Sequence, residues 1–313
     1  MQPLVFFGTP DFAVPTLDAL AACELRPALV VSQPSRPAGR GRRLAAPPVV
    51  ARAEALGLAT LQIEKVRDAD FLARLAELRP AVAVVVAFGQ IFPAPLLALP
   101  RFGCLNLHAS LLPRWRGAAP IQAAIAAGDR VTGVTSMRME AGLDSGPILL
   151  QEELTVGEEE TAGELAPRLA ELGARLMVAT LRRLAAGDLA ARPQDAAAVT
   201  YAAKLSKEQA RLGWERDASD LERTVRAFQP WPGAELRFGE EWVRVSRSRL
   251  ASREGDAAVD RGQILAIAGE AVVVAAGGGS ALAILRAQRA GRREVSGAEL
   301  ARGLRLRPGD RLV

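Results

Sequence analysis

The first 190 residues alternate between short apolar runs, typical of strands, and segments whose apolar residues recur at helical spacing. The run AVAVVVAF at 81–88 is apolar on both faces, as a central strand of a parallel sheet is. Strands that alternate with helices predict an α/β fold, with a mostly parallel sheet covered by helices on both sides. Ligands of such sheets bind at the carboxyl ends of the strands.

The alternation of strand and helix patterns ends after residue 189, and this change divides the chain of 313 residues. A chain of this length is long enough for two domains. Residues 190–207 lose the periodicity, so we expect an α/β domain over 1–189 and a linker over 190–207. Residues 208–313 begin with a helical pattern and continue with short strand patterns at 236–239, 241–248, 263–268, 270–276 and 281–287. Short strands separated by charged or glycine-rich turns predict a small β-barrel.

The composition limits the function classes that remain open. The longest apolar runs fall far short of the ~20 residues of a membrane helix, and no signal peptide is recognisable at the N-terminus. Two scattered cysteines indicate a reducing, cytoplasmic setting. One histidine and two distant cysteines do not supply the usual zinc ligands, so we expect no metal. The first strand is followed by GTPDF rather than G-x-G-x-x-G, so no dinucleotide site is predicted.

A basic segment, SRPAGRGRRLAAPP at 35–48, follows the second predicted strand. It contains four arginines and no acidic residue, which accounts for most of the net charge of +5: Arg36, Arg40, Arg42 and Arg43. A glycine-interrupted basic loop can contact phosphates. The alternative is an ordinary solvated surface loop.

The stretch LNLHASLLPRWRG at 105–117 contains His108, the only histidine of the chain. Asn106 lies two residues earlier on a predicted strand, so the two side chains share a face. Asp144 lies in the glycine-bracketed loop of MEAGLDSGPIL, after a later strand. These three residues follow or end neighbouring strands and could converge on one pocket.

Each of these residue types suits a step of acyl-type transfer. An imidazole exchanges a proton near neutral pH, and an amide donates hydrogen bonds to a developing oxyanion. A carboxylate can hold the imidazole charged or hold a water that relays a proton. Ser110 lacks the context of a nucleophile elbow, so direct transfer through a tetrahedral intermediate is favoured. Structural roles are the alternative: a buried histidine, an amide that satisfies backbone groups, and an aspartate that caps a turn.

The segment NLHASLLPRWRGAAPIQ, followed by GVTSMRMEAGLDSGPIL, resembles the folate-dependent formyltransferases. The likeness extends nearly end to end, through VFFGTPDFAVPTLDAL, QPSRPAGRGRRL, AFGQIFP, YAAKLSKEQARLGW and RAFQPWPGAE. It implies a Rossmann-like catalytic domain and a second, OB-like barrel. It also implies 10-formyltetrahydrofolate as the donor and the α-amino group of methionyl initiator tRNA as the acceptor. We expect a cytoplasmic monomer.

The resemblance also implies roles for individual residues. Asn106 and a protonated His108 would stabilise the oxyanion, while Asp144 would orient His108 and a water that moves the proton. A neutral His108 that acts as a base remains an alternative. The folate would contact two segments: Ser110, Leu111, Leu112 and Pro113, and Phe88, Gly89, Gln90 and Ile91.

The acceptor tRNA would contact cationic residues. Arg40 would meet the acceptor stem with the help of Arg36, Arg42 and Arg43, and Lys204 and Lys207 would approach its 3′ end. The barrel at 208–313 would assist tRNA binding. Rival interpretations are a formyltransferase for a small amine, a hydrolase that releases formate, and a non-catalytic RNA-binding protein on a decayed enzyme fold.

Overall fold

The computed structural model describes residues 1–38, 43–252 and 260–312, apart from the side chains of Ala38 and Arg43. The chain forms two compact units, each assembled from separate segments of the sequence. Unit 1 consists of Met1–Pro120, Val131–Thr155 and Ala166–Ala203, and unit 2 of Ile121–Arg130, Val156–Leu165 and Lys204–Val313.

The strands and helices are numbered in chain order. The strands are β1 (Leu4–Gly8), β2 (Leu29–Ser32), β3 (Arg36–Ala38), β4 (Arg43–Ala45), β5 (Thr60–Gln62), β6 (Val82–Val86), β7 (Cys104–His108), β8 (Arg116–Gly117), β9 (Val131–Arg138), β10 (Ile148–Thr155), β11 (Tyr201–Ala202), β12 (Arg211–Leu212), β13 (Ala234–Phe238), β14 (Glu241–Ala251), β15 (Ile264–Ala268), β16 (Ala271–Ala275), β17 (Ala281–Gln288) and β18 (Glu294–Ser296). The helices are α1 (Val14–Ala21), α2 (Pro48–Ala55), α3 (Ala69–Leu78), α4 (Ala94–Ala98), α5 (Pro120–Ala127), α6 (Ala162–Ala186), α7 (Ala218–Phe228) and α8 (Gly297–Gly303).

Unit 1 is built on a sheet with the strand order β10–β9–β7–β6–β1–β2–β5. The five strands from β7 to β5 in this order run parallel, whereas β9 is antiparallel to β7 and to β10. Every residue of β1 and β6 is buried, which agrees with the continuous apolar run that predicted a central strand. The predicted α/β fold with a mostly parallel sheet is therefore confirmed.

Both faces of this sheet are covered. On one face, the ring of Phe7 packs edge-on against those of Phe71, Phe88 and Phe92, with centroids 5.0–6.3 Å apart. On the other face, α6 approaches β7 at Gly173, where an added Cβ would overlap the side chain of Leu107. The absence of a side chain at this position therefore allows the helix to lie close to the sheet.

The carboxyl ends of the parallel strands meet at one edge of the sheet, so the segments after β2, β6 and β7 begin there. The turn after β6 contains Gly89, whose φ of 79° favours glycine. An added Cβ at Gly89 would lie 2.9 Å from Gln33 Nε2, the same nitrogen that donates to the Phe88 carbonyl at 2.6 Å. The segments after β2 and β6 are thus joined directly.

Unit 2 contains a sheet with the order β12–β13–β14–β17–β16–β15, and β18 pairs with β17. The pairing is antiparallel apart from β12 with β13. Its core joins Leu221 of α7 and Leu300 of α8 to buried strand residues such as Val243, Val272 and Ile284. The predicted β-rich second region is confirmed, and five strand patterns fall within a few residues of β13 to β17.

Several elements were not foreseen. Helix α8 begins with a capping box between Ser296 and Glu299, and the short α4 follows Pro93. Residues 190–203, which the sequence suggested as part of a linker, lie in unit 1 and include β11, which pairs with β8. Within the described ranges, no helix has the length and apolar character needed to span a membrane.

Candidate active site

His108 is the last residue of β7 and is only 5% exposed. Its Nε2 lies 2.8 Å from the carbonyl oxygen of Trp115. A carbonyl oxygen can only accept a hydrogen bond, so Nε2 carries a proton and donates it to Trp115. Any proton exchange or oxyanion contact by the imidazole must therefore use Nδ1.

Asp144 lies in the loop between β9 and β10, in the left-handed region with a φ of 48°, which aspartate tolerates better than most residues. Its Oδ2 is 3.7 Å from His108 Nδ1, which is too long for a hydrogen bond. The same oxygen accepts a hydrogen bond from the Gly117 amide at 2.9 Å. The carboxylate is thus held beside the imidazole without a committed bond to it.

Asn106 lies on the same face of β7 as His108, two residues earlier, and is half-buried. Cys104, two residues earlier again, is buried among apolar side chains, and this burial raises the pKa of its thiol to about 12. A thiol with that pKa stays protonated at neutral pH and does not act as a nucleophile. The structure therefore places the Asn106 amide on the same face of β7 as His108, and the Asp144 carboxylate beside His108.

The segment 110–113 is held in place by the side chains of Thr135 in β9 and Gln151 in β10. Ser110 is buried, and its hydroxyl donates to the carbonyl of Arg114 at 2.6 Å. Thr135 Oγ1 donates to the Ser110 carbonyl at 2.6 Å and accepts from the Leu112 amide at 3.1 Å. The side chain of Leu112 is buried, whereas Leu111 and Pro113 are half-buried. The Ser110 hydroxyl is thus engaged with the backbone.

The segment 88–91 uses some of its side chains for structure. Phe88 is buried in the aromatic cluster. The Gln90 side chain accepts from the Val66 amide at 3.0 Å and donates to the Glu64 carbonyl at 3.1 Å. Ile91, by contrast, is 87% exposed, so this apolar side chain remains available to a ligand.

The cationic residues chosen from the sequence are only partly described. Arg36 is exposed and donates to the side-chain oxygen of Gln33 at 3.0 Å. Lys204 and Lys207 are exposed residues of unit 2. Arg40, Arg42 and the side chain of Arg43 lie outside the described part of the chain.

Sequence reasoning missed the contribution of residues 194–202 to this site. Thr200 accepts from the Trp115 amide through Oγ1 at 2.9 Å and from the Arg116 amide through its carbonyl at 2.9 Å. Gln194 donates to the carbonyl of Asp144 at 2.8 Å. No periodicity or motif singles out either residue, because their partners lie 50 to 85 positions away in the chain.

The arrangement is suited to stabilising an oxyanion and moving a proton. Among the residues that the structure describes, no three histidine, cysteine, aspartate or glutamate side chains are grouped to hold a metal ion.

Comparison with known proteins agrees with this chemistry. Residues 1–181 match the formyl transferase family, and residues 204–305 match the formyl transferase C-terminal domain. The methionyl-tRNA formyltransferase of Dinoroseobacter shibae is 50% identical over 97% of this chain and 98% of the relative. That of Halorhodospira halophila is 49% identical over 98% of both chains.

Solved structures show the same fold at lower identity. The N-formyltransferase from Helicobacter canadensis, in complex with folinic acid and dTDP-3-aminofucose, matches with a TM-score of 0.68 and 15% identity, covering 92% of this chain and 100% of that one. HypX from Aquifex aeolicus, in complex with tetrahydrofolic acid, matches with a TM-score of 0.61 and 18% identity, covering 96% of this chain and 46% of that one. The site, the two matched domains and the full-length relatives agree, and the chain belongs to the methionyl-tRNA formyltransferases of the formyl transferase family.

Proposed function

We propose that the chain transfers a formyl group from 10-formyltetrahydrofolate to the α-amino group of methionyl initiator tRNA, with Asn106, His108 and Asp144 as its catalytic residues. One observation carries the assignment of roles. The Nε2 of His108 is committed to the Trp115 carbonyl, so Nδ1 is left facing the Asp144 carboxylate at 3.7 Å.

The reaction begins when the unprotonated amine attacks the formyl carbon and forms a new C–N bond. The formyl oxygen becomes an oxyanion, which accepts hydrogen bonds from the Asn106 amide and from a protonated Nδ1 of His108. Donors that are already oriented before the reaction stabilise such charge most effectively. The Trp115 carbonyl fixes the plane of the imidazole, and β7 fixes the amide on the same face.

Collapse of the intermediate breaks the bond between the formyl carbon and N10 of the folate. The amine loses a proton and N10 gains one, so the overall reaction needs no external acid or base. Asp144 holds the water that carries this proton. The Gly117 amide fixes the position of the Asp144 carboxylate. A neutral His108 could instead accept the amine proton at Nδ1, and both routes use the same nitrogen.

The folate contacts the segments 88–91 and 110–113. Hydrogen bonds from Gln33, Thr135 and Gln151 to these segments hold their backbone in one shape. A rigid backbone edge can recognise the pattern of donors and acceptors on a pterin ring. The exposed side chain of Ile91 supplies apolar surface beside it.

The tRNA contacts Arg36, Lys204, Lys207 and the arginines Arg40, Arg42 and Arg43. The region 208–313, which lies in unit 2, assists this binding. The enzyme acts as a monomer in the cytoplasm, where charged initiator tRNA is used. Cationic contacts to phosphates predict that tRNA affinity falls steeply as salt rises, and an affinity insensitive to salt would contradict them.

The deciding experiment incubates the protein with 10-formyltetrahydrofolate labelled in the formyl group and several acceptors in parallel. These are methionyl initiator tRNA, methionyl elongator tRNA and a nucleotide-linked amino sugar. Label should appear on the initiator tRNA far faster than on the others. Transfer to the amino sugar alone, or release of labelled formate without transfer, would refute the proposal.

A further inference from the structure

Residues 115–117 contact both ionisable side chains of the site through their backbone. The Trp115 carbonyl accepts from His108 Nε2 at 2.8 Å, and the Gly117 amide donates to Asp144 Oδ2 at 2.9 Å. Gly117 has a φ of 122°, and an added Cβ would overlap the Ala202 carbonyl. The backbone of this tripeptide therefore sets where the imidazole and the carboxylate lie relative to each other.

The middle residue of the tripeptide, Arg116, directs its side chain to Gln194. Arg116 Nε and Nη2 donate to Gln194 Oε1 at 3.0 and 2.7 Å. Gln194 Nε2 in turn donates to the carbonyls of Asp144 and Gly146 at 2.8 and 2.7 Å. The Gln194 side chain thus uses both acceptor positions of Oε1 and both N–H donors of Nε2. Exchanging Oε1 and Nε2 would direct the Nε2 donors at the Arg116 guanidinium, which is itself a donor.

The loop that carries Asp144 depends on such contacts for its position. Residues 140–143 at its tip are exposed, and Asp144 itself has a left-handed backbone. On the far side of the loop, Ile148 and Arg192 exchange two backbone hydrogen bonds of 2.8 Å, which bring Gln194 alongside it. Gln194 therefore connects the backbone of this loop to the tripeptide that also holds His108.

We propose that Gln194 is a positioning residue for formyl transfer: it fixes the Asp144 carboxylate relative to His108 Nδ1 by joining the Asp144 loop to Arg116. The inference rests on the proposed function, because Asp144 is the group that Gln194 positions. Gln194 acts through Asp144 and does not itself touch the reacting atoms.

Removing the side-chain amide of Gln194 should slow the chemical step more than it weakens the binding of folate or tRNA. Without it, Arg116 loses an acceptor, two carbonyls lose a donor, and the Asp144 loop loses its link to the tripeptide. Displacement of a catalytic group by about 1 Å can cost on the order of 100-fold in rate. We expect Gln194→Ala to lower kcat by roughly 10- to 100-fold, with the KM values for folate and tRNA little changed.

Two further variants separate positioning from general stability. Gln2→Ala removes a glutamine of similar chemistry in unit 1, which donates to the Arg26 carbonyl at 2.9 Å and accepts from the Leu4 amide at 3.0 Å. It should leave kcat unchanged. Gln194→Glu keeps acceptors for Arg116 but lacks the two donors to the loop, so it should be as slow as Gln194→Ala. Wild-type kcat in Gln194→Glu would overturn the proposal.

A double-variant cycle tests whether the effect passes through Asp144. Once Asp144→Ala has removed the carboxylate, adding Gln194→Ala should cost nothing further, because coupled residues are not additive. A further tenfold loss would overturn the inference. Wild-type turnover in Asp144→Ala would refute the catalytic role proposed for Asp144 instead, whereas an unaffected Gln194→Ala beside an inactive Asp144→Ala would refute only the role of Gln194.

The single histidine of the chain provides a readout besides activity. In ¹⁵N spectra of tag-free protein, the Nδ1 resonance of His108 should move in Gln194→Ala in the same direction as in Asp144→Ala. Gln2→Ala should leave it in place. A resonance that shifts with Asp144→Ala but not with Gln194→Ala would also contradict the proposal.

Discussion

The carboxyl edge of the sheet in unit 1 and the charged surface of unit 2 use similar side chains in different ways. In unit 1, the side chains of His108 and Asp144 are 6% and 17% exposed, and their hydrogen-bond partners are backbone groups. In unit 2, Arg289 and Glu241 pair with each other while 36% and 45% exposed. A backbone partner fixes a polar group relative to the fold, whereas an exposed pair contributes little to stability.

The largest effect should come from breaking the unit 1 arrangement. We expect His108→Ala and Asp144→Ala each to lower the rate of formyl transfer by about 10²–10⁴, since each removes a proton-transfer or oxyanion contact. Affinity for initiator tRNA should stay near that of the wild type. Single-turnover transfer of labelled formyl and tRNA binding at fixed salt measure the two quantities, and wild-type turnover in either variant would contradict the assignment.

Shortening a buried side chain in the core of unit 2 should instead lower stability and leave turnover nearly unchanged. Leu236 is fully buried in the unit 2 core, so Leu236→Ala should lower the free energy of unfolding of that unit by about 2–5 kcal/mol. Turnover per folded molecule should change little. Denaturant unfolding followed by tryptophan fluorescence measures the loss, and Leu250→Ala, at a position 57% exposed, is the matched control.

A smaller effect separates two ion pairs within unit 2. Arg226 and Glu222 are only 12% and 14% exposed, and Arg226 also donates to the Glu160 carbonyl at 3.1 Å. We expect Arg226→Ala to cost about 1–3 kcal/mol, because a charged hydrogen-bonding group is left without its partner. Arg289→Ala, in the exposed pair, should leave the unfolding midpoint unchanged within error. Equal losses of unfolding free energy in the two variants would show that burial does not determine how much an ion pair stabilises this unit.

The smallest effect is a pH dependence in unit 1. Hydrogen bonds from Arg182 lower the pKa of Glu24 from 4.5 to about 2. Because the pKa is lower in the folded state, the contribution of Glu24 is present above pH 4.5 and lost as the pH falls toward 2. The difference in Tm between wild type and Glu24→Gln should therefore shrink between pH 6 and pH 2.5. A difference that grows on acidification would reverse the sign of the linkage.

The sequence predicted the elements whose signal is local. The run at 81–88 predicted β6, because both faces of a central parallel strand are buried. Short strand patterns separated by charged or glycine-rich turns predicted β13 to β17. The proximity of Asp144 to His108 was predicted from their places near strand ends and from the family resemblance. Gln194 could not be found in this way, because its role depends on contacts with residues 48 to 78 positions away.

The assembly of each unit from separate segments has a consequence for recombining this enzyme with its relatives. The two matched family domains are separated between residues 181 and 204, yet residues 121–130 and 156–165 belong to unit 2. Within that unit the Gly163 amide donates to the Gln229 carbonyl, and Arg226 donates to Glu160. A chimaera joined at a single point near 204 would bring both segments from one parent and their packing partners from the other. An exchange that keeps these contacts within one parent must therefore transplant three pieces of gene together.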